Sequence, residues 1–443
     1  MFVWYQYSIH DLPAFGLFIG WCVHGKFPCP ECKSAMEFYR LREGGKYCCF
    51  DMHRQFLRAD HEFRQDMKNF TKDVVVTHMP PPRLTSKQIL DQLNALEDDP
   101  ENPGKYKGYG VTHAWTHKPC FWDLPYFPDL EYPHYIDVMH TEKNIGEAIF
   151  NIIFDIAEKS RDNIKGRVDQ KMLCDRPKLD MQPPTGEKKW RKPKASFVLT
   201  REQRKEALMW IAMLMFPDGY AANLKRGVKL AAMRIIGLKS HDYHIWLERL
   251  LPVMVRGYIP EEDWRVLAEL SYFFRVLCAK ELSPTVIEEM EKLAPELICK
   301  LEMMFPPSFF VPMAHMILHL PTEARMGGPV QNRWMYGMER QQKNMRLKSR
   351  NKYKIEASIA EAVIIEEVAN VITMYYPPDV PTMHNPVSRY NTGNLEHQSE
   401  LSLFKGQLGT SGSHKVFELS PQVWATITLY VLINLREVWD YQT

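Results

Sequence analysis

The chain has 443 residues, 45% of them hydrophobic, enough to bury a sizeable core and to divide into two or three domains. Its 56 Lys and Arg against 54 Asp and Glu leave a formal net charge of +2, which excludes a globally basic nucleic-acid-binding protein and confines any basic surface to local patches. Nine cysteines, an odd number scattered among 24 methionines, argue for reduced thiols with some metal ligation in nucleus or cytosol rather than a secreted disulfide framework.

In chain order, MFVWYQYSI at residues 1–9 is aromatic and β-branched with partial alternation, so it predicts a strand that delivers Asp11 at its end. Gln6, Asp11 and Pro13 interrupt the apolar start and exclude a membrane span there. A strand that opens on Met1 with no polar lead-in raises the expectation that upstream sequence is missing. Residues 34–78 are polar and rich in Arg, His and Cys, and end on the breaker His78-Met-Pro-Pro-Pro-Arg83. Ile145, Ile149, Ile152, Ile153 and Ile156 then recur at helical spacing. Residues 161–196 form a Pro- and Lys-rich loop whose basic run Lys188–Lys194 contacts nucleic acid, directs nuclear import or is simply solvated.

Thr200 with Gln203 makes a capping box for a helix to Phe216, and Ser283-Pro284 starts another that ends near Met304. After Pro306-Pro307 the pattern predicts a helix over about 309–320, a Gly327-Gly328 turn, and one helix from about 335 to 374. The last 60 residues are a Ser-, Gly- and Asn-rich tail closing on the apolar run Val423–Leu435, too short to cross a bilayer and read as a buried element.

Cys29 and Cys32 have the spacing that lets two thiolates of one turn reach one tetrahedral Zn²⁺. Two sets of residues can complete the site: Cys48 or Cys49 with His53 nearby, or His315 and His319, one helical turn apart in AHMILHL. Spacing alone does not choose between them. Asp11 is either a turn or cap residue or a catalytic acid, Glu339 either a solvated helix residue or an acid, and Asp137 in HYIDVMHTEKN, near His134, His140 and Glu142, is a further candidate.

HDLPAFGLFIGWCVHGKFPCPEC, FDMHRQFL, YIDVMHTEKNI, FPDGYAAN, GLKSHDYH and FPPSFFVPMAHMILHLPTEARMGGPVQNRWMYGMER follow one another in the order in which they resemble the transposase of plant CACTA-type (En/Spm) DNA transposons, over about residues 4–376. Members of that family look like relatives of the antigen-receptor recombinase and the Transib transposases, with an RNase H-like core interrupted by a large helical insertion. The resemblance implies a DDE-type enzyme in which Asp11 is the second acid and Glu339 the third, and in which Cys29, Cys32, His315 and His319 close one structural zinc site. Asp137 stays the rival for the third acid. Phosphodiester cleavage of this type needs carboxylates holding two Mg²⁺ ions about 3.5–4 Å apart. A zinc that falls 18 residues after Asp11 and 20 before Glu339 would preorganise them. Lys343, Arg346, Lys348 and Arg350, on the helix after Glu339, suit phosphate contacts.

The family's first aspartate precedes the quoted stretch, so the expectation is a chain truncated at its N-terminus and not able to cut DNA by itself. The fold expected is α/β plus α: a partial RNase H-like core, interrupted by a large, mainly α-helical insertion. Residues 1–33 carry the second acid and the Cys pair, 34–305 the insertion, 306–376 the His pair, the third acid and a core helix, and 377–443 an appended tail. Partners implied are DNA at transposon ends and a second copy or a second transposon-encoded protein, with no membrane. The compartment is the nucleus. The alternative is a non-catalytic DNA- or protein-binding remnant or host-adopted protein stabilised by zinc.

Overall fold

The first regular element is the strand Ser8–His10 (β1), after which Asp11 caps the helix Leu12–Ile19 (α1) by accepting the Ala14 N–H at 2.9 Å. Gly20 ends that helix at φ +77°, where a Cβ would meet the His117 carbonyl oxygen at 2.0 Å, so no larger residue fits. Tyr39–Arg40 (β2) and Tyr47–Cys48 (β3) form a small antiparallel pair, and Ser86–Asn94 (α2) starts on a Thr85/Gln88 capping box. His134–Ile136 (β4) then runs parallel to β1, with Ser8 opposite His134, Ile9 opposite Tyr135 and His10 opposite Ile136.

The computed structural model that shows this describes residues 4–183, 190–216, 220–221, 224–349, 351, 353–377, 379–382 and 418–435, and divides at Met338 into two units. In the first unit, Asp137 caps Val138–Ile153 (α3), followed by Ile164–Leu173 (α4) and Arg201–Met213 (α5), the latter on the predicted Thr200/Gln203 capping box. A small hairpin, Val228–Lys229 (β5) with Arg234–Ile235 (β6), precedes Ser240–Ile245 (α6), a π-helical turn Trp246–Leu250, Leu251–Val255 (α7), Glu261–Leu277 (α8) and Pro284–Met304 (α9). Short helices Pro312–His315 (α10) and Leu320–Gly327 (α11) follow, and then a 3₁₀ turn at Val330–Asn332. The architecture is mixed, helical with small sheets.

The isoleucines of α3 are its core face: Ile145, Ile149, Ile152 and Ile153 are buried, whereas Ile156 lies beyond the helix end and is half-buried. They pack in one cluster with Leu247, Leu251, Phe273, Phe274 and Leu297 from the later helices. No helix of the described residues is long and apolar enough to cross a membrane.

Several elements differ from expectation, among them α4, a helix within the stretch 161–196 expected to be a loop. Of the strand expected over residues 1–9, residues 1–3 lie outside the described residues, and from residue 4 on the strand spans Ser8–His10, because its partner β4 is bounded by Pro133, which has no N–H, and by the helix cap Asp137. The helix expected over 309–320 is split into α10, a 3₁₀ turn at Met316–Leu318 and α11, since Pro321 cannot donate back to the preceding turn. The long helix expected to 374 is two: Tyr336–Lys348 (α12) and Ile355–Thr373 (α13). Between them Asn351 accepts the Tyr353 N–H at 2.9 Å, a local turn that competes with the helix.

The second unit also holds Pro421–Asn434 (α14). The run expected to be buried is exposed there, Trp424 at 63% and Tyr430 at 69%, with no covering layer in its own unit among the described residues. Most of the tail 377–443 lies outside the described residues, as do Lys188, Lys189 and Arg350.

Candidate metal centre and strand-end acids

Cys29 and Cys32 sit on a tight knuckle in which the Cys32 N–H donates to the Cys29 sulfur at 3.2 Å and Lys33 N–H to the Cys29 carbonyl at 2.9 Å. Lys33 turns at φ +48°, buried against the Trp21 and Trp115 rings with its ammonium on the Pro30 carbonyl. His315 ends α10 and His319 precedes α11, and the 3₁₀ turn between them still brings the two Nε2 atoms to 3.1 Å.

The four side chains converge. Cys29 Sγ lies 3.4 Å from His319 Nε2, and Cys32 Sγ lies 3.3 Å from His315 Nε2 and 3.5 Å from His319 Nε2. Ligands on a tetrahedral zinc, with Zn–S about 2.3 Å and Zn–N about 2.0 Å, stand roughly 3.3–3.8 Å apart. The observed spacing therefore fits one such ion held by these four residues. The Phe38 ring stands at right angles to that of His315 and Phe56 to that of half-buried His319. Burial would raise the Cys29 thiol, but the Cys32 thiol and the two imidazoles hold it well below its ordinary value, while burial and the Cys29 charge push Cys32 up. Burial pushes His315 down to about 4, leaving the neutral imidazole a metal requires.

The nearby alternative ligands are divided. Cys48 donates its thiol to the Pro307 carbonyl at 2.9 Å, away from the knuckle. Cys49 and His53 instead lie on the other side of His315, whose ring stacks on that of His53 at 5.4 Å between centroids. His53 Nδ1 is fixed 2.6 Å from the buried Glu302 carboxylate.

Asp11 and Asp137 directly follow the last pair of the β1–β4 register, and the Asp137 N–H donates to the His10 carbonyl at 2.7 Å. Both thus stand at the carboxyl ends of adjacent parallel strands, where α/β folds commonly bind ligands. Their environments differ. Asp11 is half-buried, with one oxygen on the Ala14 N–H. Asp137 is fully buried: Oδ1 accepts from Met139 and Met335 N–H groups, each at 3.2 Å, and Oδ2 lies 2.6 Å from His140 Nδ1. His134 on β4 is pushed down to about 3 by burial, with Nδ1 2.8 Å from the Ser8 hydroxyl.

One carboxylate links the cluster to the acids. Glu323, four residues after His319 on α11, accepts the Ile136 N–H of β4 at 3.1 Å and faces Arg333 at 3.5 Å. Burial, only partly offset by Arg333, pushes it up to about 8. Sequence reading missed Glu323 and Glu302, because a glutamate in a helix carries no spacing that announces a buried strand-edge or imidazole partner.

Glu339 lies in the first turn of α12, in the second unit, and is exposed; Lys343 and Arg346 are exposed on the same helix, and Lys348 pairs with Glu366. Of the basic loop run, Lys192 is turned inward onto Asp155 at 3.1 Å and the Asp162 carbonyl at 2.7 Å.

Residues 1–96 match the model of a transposase family, tnp2, and residues 277–391 match a domain of unknown function, DUF4218. No curated protein and no solved structure matches the chain. Asp11 and the two cysteines fall in the first matched segment, the two histidines and Glu339 in the second. By the first match the chain is similar to a transposase family over residues 1–96, while the second carries no assigned function.

Proposed function

We propose that the chain is a transposase-derived protein of the CACTA (En/Spm) type, whose complete site cuts and transfers DNA strands, and that Cys29, Cys32, His315 and His319 hold one structural zinc. The observation that carries the reading is the junction: two ligands from the tnp2-matched segment and two from the DUF4218-matched segment meet within tetrahedral reach, although 283 residues separate Cys32 from His315. A zinc held by these four residues would tie the two segments together and offset the thiolate charge. The chain's own residues do the rest: the knuckle orients the sulfurs, the Phe38 ring packs against His315, and Glu323 carries the fixed position of α11 to the end of β4.

Asp11 and Glu339 are the acids that the resemblance assigns to cleavage. Asp11 suits that role as a half-exposed carboxylate at a strand end, while Asp137 has its oxygens committed to two N–H groups and His140 and acts as a fixed wall beside it. Among its described residues the first unit presents no built carboxylate pair for Mg²⁺ beside Asp11, so that ion enters through the resemblance. Lys343 and Arg346 would contact phosphates, and the substrate would be DNA at transposon ends in the nucleus. The RNase H-like core and the four-segment domain organisation belong to the same proposal.

A second reading, a non-catalytic DNA- or partner-binding protein, is favoured by the commitment of Asp137 to structure. Purified full chain titrated with labelled duplex DNA, then incubated with supercoiled plasmid and Mg²⁺ or Mn²⁺, separates the readings. Expected is salt-dependent binding weakened by Lys343→Glu and Arg346→Glu, and any nicking that the chain shows is abolished by Asp11→Asn. Metal-dependent nicking lost in Asp11→Asn selects the first reading, and no DNA affinity at low salt refutes it and leaves only the partner-binding form of the second.

A further inference from the structure

A second convergence of ligand-type side chains lies in the helical part of the first unit. Glu142 comes from α3, His244 from α6, Glu248 from the π-helical turn and Cys278 from the end of α8, and their ligand atoms all lie within 4.8 Å of one another. All four are buried, Glu142 completely. His244 Nδ1 stands 2.7 Å from Glu142 Oε2 and 3.6 Å from Glu248 Oε1.

That imidazole is the cation paired with both carboxylates, with Arg249 acting on Glu248 from further off. Glu142 Oε1 and Glu248 Oε1 have no hydrogen-bond partner among the described residues, nor does the Tyr336 hydroxyl, whose ring stands edge-on to His244. Leaving buried carboxylate oxygens unpaired costs free energy that a protein core rarely tolerates. One His, two carboxylates and one thiol are ligands that Zn²⁺ accepts, and a divalent charge offsets the excess negative charge. The turn that carries Glu248 is π-helical, a rare departure often found at functional sites.

The geometry points to a second, closed zinc site formed by Glu142, His244, Glu248 and Cys278, independent of the Cys29 cluster. It would staple α3, which begins at Asp137, to α6 and the end of α8, and fix His244 beneath Trp334 and Tyr336. With four protein ligands and no open position its role is structural rather than catalytic.

Metal counting on the full chain tests this, and does so whether or not the protein acts on DNA. Purified without chelator, the native chain is expected to hold two zinc ions by elemental analysis. The Glu142→Gln/Glu248→Gln variant, which keeps side-chain shape, should hold one, and Cys29→Ser/Cys32→Ser should lose the other. Co²⁺ titration of metal-free native protein gives a readout that needs no variant to fold: saturation at two equivalents, with the second adding the absorption of a single thiolate, supports the site. Saturation at one equivalent or none overturns it. So does a second ion that persists in the Gln variant and disappears in His53→Ala, since that ion would sit with Cys49 and His315.

Discussion

Cys29 and Asp11 are eighteen residues apart in sequence and occupy opposite kinds of surroundings. The cysteine belongs to a closed knot in which thiols and imidazoles face one another at 3.3–3.5 Å, with the Phe38 ring against His315. The aspartate stands half-exposed at a strand end and does a local job, capping α1. The knot therefore concentrates stability, and the strand end keeps a carboxylate accessible at little structural cost. Between them runs a single carboxylate, Glu323, which fastens the helix after the knot to β4, the strand that leads into Asp137.

The largest effect should come from breaking the knot. Zinc binding in finger peptides is worth roughly 10 kcal/mol, and this cluster closes a loop from residue 32 to residue 315. Cys32→Ser, or a strong chelator, should lower stability by several kcal/mol in denaturant unfolding and make the transition less cooperative. Unchanged unfolding with chelator present would remove the contrast between the two regions, since the knot would then be ordinary core.

The link comes next. Glu323 in the folded protein holds its proton up to about pH 8, because burial outweighs the help of Arg333, whereas unfolded glutamate releases it near 4.3. The folded state thus binds more protons through this window, so the contribution is fully present below about pH 4.3 and is lost as pH rises through 8. Each tenfold change in proton affinity is about 1.4 kcal/mol, which makes several kcal/mol the upper limit. Glu323→Gln, which keeps an oxygen for the Ile136 N–H, should flatten the fall in denaturant midpoint between pH 5 and 8. A slope equal to that of the native chain would separate the knot from the strand.

What the sequence makes legible follows the range of the interaction. Cys29 with Cys32, and His315 with His319, are each readable because both partners lie within one turn; the same holds for the capping box of Thr200 with Gln203 and for the helix start at Ser283-Pro284. Which pair of ligands completes the knot is not readable from spacing, since Cys49 and His53 also reach His315 from its other side. Glu142, His244, Glu248 and Cys278 are illegible for the same reason in stronger form: separate elements bring them together, and only His244 and Glu248 keep a helical spacing. The splitting of the helices near Pro321 and Asn351 turns on local backbone chemistry that apolar periodicity does not register.

Asp137→Asn should cost about 1–3 kcal/mol, because it removes the charge of a buried carboxylate that accepts two N–H groups and pairs with His140. An effect within experimental error would mean that the two strand-end acids are equivalent after all.

Asp11 is expected to give the smallest change in stability and the most informative one. Asn is as good a helix cap as Asp, so Asp11→Asn keeps the bond to the Ala14 N–H and removes only the charge, whereas Asp11→Ala removes the cap and should cost about 1 kcal/mol. If Asp11 is structural, Asn substitutes for it fully and both DNA affinity and any metal-dependent nicking survive. If it is the accessible acid, Asp11→Asn unfolds at the native midpoint while nicking is lost, because a neutral amide cannot replace a carboxylate oxygen on a divalent ion. The pair of variants thus separates the capping role from the charge, which neither substitution does alone.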